Sequence, residues 1–241
     1  MELLQEIESY WTTRTDGYSE VNQKELAGMQ KAAWLKVLTE HFPQKEKKDL
    51  RILDIGTGPG FFPTILSEAG YEIDAADYTP GMLEKAKENV GKYVDHVRFW
   101  REDAQNLDFE NETFDVIISR NLTWTLPHVR HAYQEWLRVL KKGGVLLNFD
   151  ANYGITDFSN VEDLPENHAH NTLGNDMMRE CEEIKRQLPI SSYSRPAWDL
   201  ETLGSMDLKD FRVDLGISSR IYLEKDEFYN PTPMFMLRTV K

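Results

Sequence analysis

The sequence predicts an α/β fold: a parallel sheet with helices on both faces. Two observations carry this. Short apolar runs alternate with helix-length segments between residues 51 and 149, and the first run ends in a glycine-rich turn that opens the next segment. Such alternation implies parallel neighbours, because each connection must cross back over a face of the sheet. A chain of 241 residues that is 40% hydrophobic is long enough for one such domain with a sizeable core.

Taken in order, residues 1–20 place aromatics (Tyr10, Trp11, Tyr18) in a polar setting. A helix is expected over about 21–41, with Leu26, Met29, Ala33, Val37 and Leu38 on one face. The run 43–48 reads as a solvated linker. Strand 51–55 then leads to helix 61–69, and strand 71–76 to helix 80–90, which has Pro80 as first helical residue and Thr79 as a cap. Strand 97–101, a polar turn at 108–113 and strand 114–119 follow. Helix 129–141 ends at Gly143-Gly144, and strand 145–149 closes this half. After Asp150 the pattern loosens: 175–187 and 199–206 read as helices, 211–217 and 233–240 as strands. The organisation expected is one domain, with an N-terminal helical cover (1–45), a ligand-binding core (50–150), an insertion over the site (151–196) and a C-terminal helix and hairpin (197–241).

Composition narrows the function. Net charge is −13, and the acid surplus runs through both halves, with 18 basic against 25 acidic residues in 1–150 and 10 against 16 in 151–241. No basic track exists for a nucleic acid or an anionic membrane surface. A single cysteine, Cys181, excludes an internal disulfide and a cysteine-only metal site. No signal peptide or membrane-spanning run is evident, so a cytoplasmic location is expected. The sequence leaves the oligomeric state open. His168 and His170 lack a visible third ligand and read as a surface loop; no metal is expected. The insertion holds eight acidic and four basic residues, a faint bias toward a neutral or cationic substrate over a phosphorylated one.

The chemistry concentrates at Leu53-Asp54-Ile55-Gly56-Thr57-Gly58-Pro59-Gly60. Glycines there allow a sharp turn and close approach of a ligand. A dinucleotide fingerprint would need glycine at position 61, where the chain has Phe61, so an NAD(P)-dependent oxidoreductase is disfavoured. Asp54 before the first glycine suits a ligand carrying positive charge better than a pyrophosphate. This D-x-G-x-G-x-G run (Asp54, Gly56, Thr57, Gly58, Gly60) resembles the first motif of class I S-adenosylmethionine-dependent methyltransferases. Later motifs agree in order and spacing over about 50–150, most closely with the small-molecule type 11 group. The resemblance implies a Rossmann-like class I methyltransferase fold: a seven-stranded, mostly parallel sheet with an antiparallel last strand and helices on both faces.

It also implies roles. Asp77, at the end of the second strand, would accept from the ribose hydroxyls. Tyr78 and Met82 would pack on the adenine. Asp103 would accept from the adenine amino group, and the amide of Ala104 would meet a ring nitrogen. Arg120 and Asn121 follow the fourth strand, beside the methionine part of the cofactor. Tyr18 would help cover the cofactor, whereas Trp11, Trp124 and Asp150 are candidates for the acceptor side. No catalytic base is identifiable.

The implied activity is in-line methyl transfer to a small molecule. The sulfonium is already a good leaving group, so the protein has to align the acceptor and exclude water. Alternatives are a non-catalytic S-adenosylmethionine-binding regulator and a methyltransferase acting on a macromolecule. The proline-rich motif of base amino-methyltransferases is absent after the fourth strand, which reads Ser119-Arg120-Asn121-Leu122, and metalloid methyltransferases use several cysteines.

Overall fold

A computed structural model describes residues 2–157, 164–165, 168 and 174–241. Among these residues the sheet has seven strands: β1 (Ile52–Ile55), β2 (Ile73–Asp77), β3 (Val97–Arg101), β4 (Phe114–Arg120), β5 (Leu140–Ala151), β6 (Asp210–Asp214) and β7 (Met234–Val240). Their order is β3-β2-β1-β4-β5-β7-β6. Strands β1 to β5 pair in parallel, and β7 runs antiparallel between β5 and β6. The strand order reverses between β1 and β4, which opens a crevice at the carboxyl ends of these strands.

Alternation along the strands builds two cores. Leu53, Ile55, Ile117 and Leu146 face one layer, with Tyr133 and Trp136 of helix α5 (Val129–Val139). Ile52, Val116, Ile118 and Phe149 face the other, beneath helices α2 (Gln30–Thr39) and α3 (Phe61–Glu68). Trp34 of α2 anchors the second core, edge-on to Phe61, Phe62 and Phe149 at centroid distances of 6.0, 5.3 and 5.0 Å. The remaining crossover between β2 and β3 is helix α4 (Pro80–Val90).

The structure departs from the sequence expectation at the N-terminus. Within the expected N-terminal helical cover the aromatics of residues 1–20 and the start of the helix expected over about 21–41 form one helix, α1 (Leu3–Ala27), which breaks at Gly28 before α2 begins. Gly28 is extended (φ −91°, ψ −173°), so the face expected to run from Leu26 through Met29 is interrupted; Met29 is 73% exposed and Trp34 fills the core instead. Strand β5 begins at Leu140, so the expected helix stops two residues early, at Val139, and the Gly143-Gly144 pair lies within the strand. Gly143 has φ +78°, and the register with β4 shifts between Phe114 and Val116. Strand β6 is shorter than expected; Ile217 instead opens a short helix, α8 (Ile217–Ile221). Beyond β5, helices α6 (Asn175–Gln187) and α7 (Ala197–Gly204) complete the chain, and no helix among the described residues is long and apolar enough to cross a membrane.

Candidate functional site

The β1–α3 turn sits in the crevice. The amides of Gly56 and Thr57 donate to the carbonyl of Ala76 at 2.8 and 3.0 Å, pinning the turn to the end of β2. Gly58 has φ +54°, and a Cβ there would meet only Tyr18, at 3.6 Å. The space over Gly58 is therefore open to a ligand, and its backbone is in the left-handed region that favours glycine. Gly56 (φ +69°) packs closely under Leu122, where a Cβ would lie 2.7 Å away. Asp77 stands beside the turn. Its carboxylate accepts from the amides of Gly58 (2.8 Å) and Thr79 (2.9 Å), while burial pushes its pKa above the ordinary carboxylate value.

A strand-end cavity is lined by Gly56, Gly58, Asp77, Tyr78, Met82, Asp103, Ala104, Arg120 and Asn121, with Trp11 and Tyr18 of α1 closing it. These are eleven of the residues singled out in the sequence, brought together by six separate elements. A second cavity of about 260 Å³ adjoins it and shares Trp11, Tyr18, Arg120 and Asn121. This aromatic cavity is walled by Tyr10, Trp124, Tyr153, Tyr222 and Tyr229. Rings interlock along one side: Tyr10–Trp11 at 5.3 Å, Trp11–Tyr18 at 5.4 Å, Trp11–Trp124 at 6.3 Å and Trp124–Tyr153 at 5.1 Å between centroids.

The junction between the cavities is built from the end of β4. Asn121 has φ +54°, a strained conformation for a residue with a side chain, and its Oδ1 accepts from the Tyr153 hydroxyl at 3.2 Å. The Arg120 guanidinium lies over Phe61 (4.0 Å) and Trp34 (4.9 Å). Its Nη2 donates to Glu25 (2.7 Å) and Tyr222 (2.9 Å), whereas its buried Nε and Nη1 have no hydrogen-bond partner. Unpaired donors of a buried cation at this point fit a ligand that brings an acceptor.

Four of the expected site residues have other work. Asp150 does not line the acceptor cavity. It is completely buried, accepting from the Thr123 hydroxyl, the Trp124 amide (3.0 Å) and Arg195 Nη1 (3.0 Å). Gly60 is a packing glycine: at φ +86° a Cβ would sit 3.0 Å from the backbone of Ala86 in α4. Gly60→Ala is accordingly expected to cost about 1–3 kcal/mol of stability, read by urea denaturation, through strain and overpacking. Asp54, with Thr57, lies behind the turn; Thr57 Oγ1 donates to its carboxyl at 2.6 Å, and burial raises its pKa to about 7, with Asp77 adding to the rise. His168 Nε2 donates to the Tyr229 carbonyl at 2.8 Å; His170 lies outside the described residues.

Sequence reasoning missed Arg14, Glu25, Tyr153 and Tyr222. Arg14 and Glu25 belong to the face of α1 that carries Tyr10, Trp11, Tyr18 and Val21, a spacing of three and four residues that marks a helix once polar members are allowed on the inner face. Tyr153 and Tyr222 stand outside any motif, and nothing in their neighbourhood flags them.

An open α/β sheet with a glycine turn, a second-strand carboxylate and a crevice at the switch point defines a nucleotide-type cofactor protein. Comparison with known proteins is more specific. Residues 53–148 match the model of a family described as a methyltransferase domain. A biotin biosynthesis bifunctional protein from Cellvibrio japonicus is 36% identical over 119 residues, covering 49% of this chain and 23% of the relative. Among solved structures, one from Methanococcus maripaludis has TM-score 0.65 at 19% identity, covering 95% of this chain and 93% of the other. Phosphoethanolamine N-methyltransferase 2 of Haemonchus contortus, in complex with phosphomonomethylethanolamine and S-adenosylhomocysteine, has TM-score 0.59 at 19% identity, covering 86% and 52%. The chain spans between 23% and 47% of the length of the first four curated relatives. Residues 53–148 are thus similar to a methyltransferase domain, and the solved structures share the fold of the whole chain.

Proposed function

We propose that this protein transfers a methyl group from S-adenosylmethionine to a small-molecule acceptor by direct in-line displacement, and that it does so in the cytoplasm. The observation that carries the reading is the pair of adjoining cavities at the switch point, one built on the glycine turn and Asp77, the other lined by aromatics, joined at Arg120 and Asn121. When bound, the cofactor supplies a sulfonium-activated methyl group. Asp77 would hold the ribose hydroxyls, Tyr78 and Met82 the faces of the adenine, and Asp103 with the Ala104 amide its edge. Arg120 and Asn121 would border the amino-acid end, and Trp11 and Trp124 would orient the acceptor and exclude water. The aromatic walls favour a cationic centre between them. Burial keeps the Tyr153 phenol protonated, so it donates hydrogen bonds rather than acting as a base.

A cavity of about 260 Å³ suits a small acceptor, and relatives named for small-molecule chemistry support that choice. The acidic surface argues in the same direction. Asp77→Ala is expected to weaken S-adenosylhomocysteine binding by about 1.5–3 kcal/mol, the range for hydrogen bonds to a charged group. Gly58→Val should weaken it further by filling the open space over the turn. Isothermal calorimetry reads both, and unchanged affinity in Asp77→Ala would contradict the ribose assignment. Release of S-adenosylhomocysteine from a metabolite panel tests turnover. Activity confined to tRNA, DNA or protein would overturn the small-molecule reading, and binding without turnover would favour a regulatory role.

A further inference from the structure

We infer that the aromatic cavity selects an acceptor bearing a carboxylate, which pairs with Arg14. This rests on the methyltransferase reading and adds the charge class of the substrate. Arg14 lies on the inner face of α1 and lines this cavity but not the strand-end one. Its buried Nε has no hydrogen-bond partner, and none of the ion pairs among the described residues includes it. Arg14 is half-buried, and its shielded Nε is a donor that a ligand entering the cavity can satisfy.

The cavity's own acids do not supply that partner. Glu25 is occupied by Trp34 Nε1 (2.9 Å), the Tyr222 hydroxyl (2.8 Å) and Arg120 (2.7 Å). Glu227 is directed to Lys24, at 3.9 Å. The second guanidinium, Arg120, also keeps two donors unpaired. Arg120 has its carboxylate in Glu25, so Arg14 is the guanidinium of the lining with no carboxylate partner among the described residues, and the planar fork of arginine matches a carboxylate in geometry and charge. A phosphate dianion would bring a second negative charge toward Glu25 and Glu227, so a monoanion fits better. The acid surplus of the insertion pointed the other way, but among the described residues none of its acids lines the cavity; the insertion contributes Tyr153, Thr156, Leu164, His168, Met178 and Cys181.

The test measures binding by calorimetry in the presence of saturating S-adenosylhomocysteine. The probes are benzoate, 4-hydroxybenzoate and indole-3-acetate, each against its primary amide, with phenyl phosphate and benzylamine as charge controls. The acids should bind about tenfold or more tightly than their amides, the value of a hydrogen bond to a charged group. Arg14→Gln should remove that preference while S-adenosylhomocysteine affinity stays at the parent value, and Arg14→Lys should retain part of it. Equal binding of acids and amides, tighter binding of phenyl phosphate or benzylamine, no binding of any acid at millimolar concentration, or an acid preference that survives Arg14→Gln would each overturn the inference. Failure of S-adenosylhomocysteine itself to bind would instead overturn the reading beneath it.

Discussion

Replacing Arg195 by leucine is expected to destabilise the protein by about 3–5 kcal/mol, the cost of leaving a buried charge without its partner. Arg195 is 6% exposed and lies between two completely buried carboxylates. Its Nη1 donates to Asp150 (3.0 Å), its Nε and Nη2 to Asp199 (2.9 and 2.8 Å), and Nη2 also to the Thr123 hydroxyl (2.7 Å). The Tyr133 hydroxyl closes the network on Asp199 at 2.6 Å, and its pKa is pushed well above the usual phenol value by burial and by that carboxylate. Without the guanidinium two acids face each other across an apolar core. The same network holds the Trp124 amide through Asp150, so the variant should also loosen the turn that carries Asn121 and Trp124. Urea denaturation measures the first effect. A loss below about 1 kcal/mol would mean that water or protonation of the acids compensates for the missing cation.

Asp54→Asn should stabilise the protein at pH 8 by about 4 kcal/mol, the value of a three-unit shift in a carboxyl pKa. Burial holds the Asp54 carboxyl near pKa 7, far above its ordinary 3.8. A carboxyl with a raised folded-state pKa contributes no penalty below the unfolded value. As pH rises from about 4 to about 7 the unfolded chain gives up its proton while the folded chain retains it, so stability falls across that window and then levels off. The amide does not titrate and keeps an acceptor for Thr57, so parent and variant should match at pH 4 and separate by pH 8. If their stability–pH curves stay parallel, Asp54 is not the source of the slope.

The strand-end cavity was legible in the sequence because its requirements are local. A sharp turn needs Gly56 and Gly58 at positive φ, and a strand end needs only a carboxylate at the right distance along the chain, as Asp77 is. The alternation of strand and helix that places them depends on periodicity, which sequence displays directly. The aromatic cavity is assembled differently. The reach of helix α1 back to Leu3 was harder to read because its inner face bears Arg14, Asn22 and Glu25 among aromatics; it lines a cavity as well as the core, so its hydrophobic period is weak. Asp150 was misplaced for the opposite reason. Its position at the end of β5 is the same as that of a ligand-facing residue, and only the distant Arg195, 45 residues away, turns it into a buried network member. Gly60 shows that even within a motif one glycine serves helix packing while its neighbour leaves room for a ligand.

The most direct test of the account is calorimetric titration of the purified chain with S-adenosylhomocysteine and, separately, with NAD and NADP. The glycine spacing, Phe61 in the third-glycine place of a dinucleotide fingerprint, and the carboxylates beside the turn predict one-to-one binding of S-adenosylhomocysteine, weakened in Asp77→Ala, with no heat from either dinucleotide. Saturable binding of NAD or NADP with none of S-adenosylhomocysteine would contradict it.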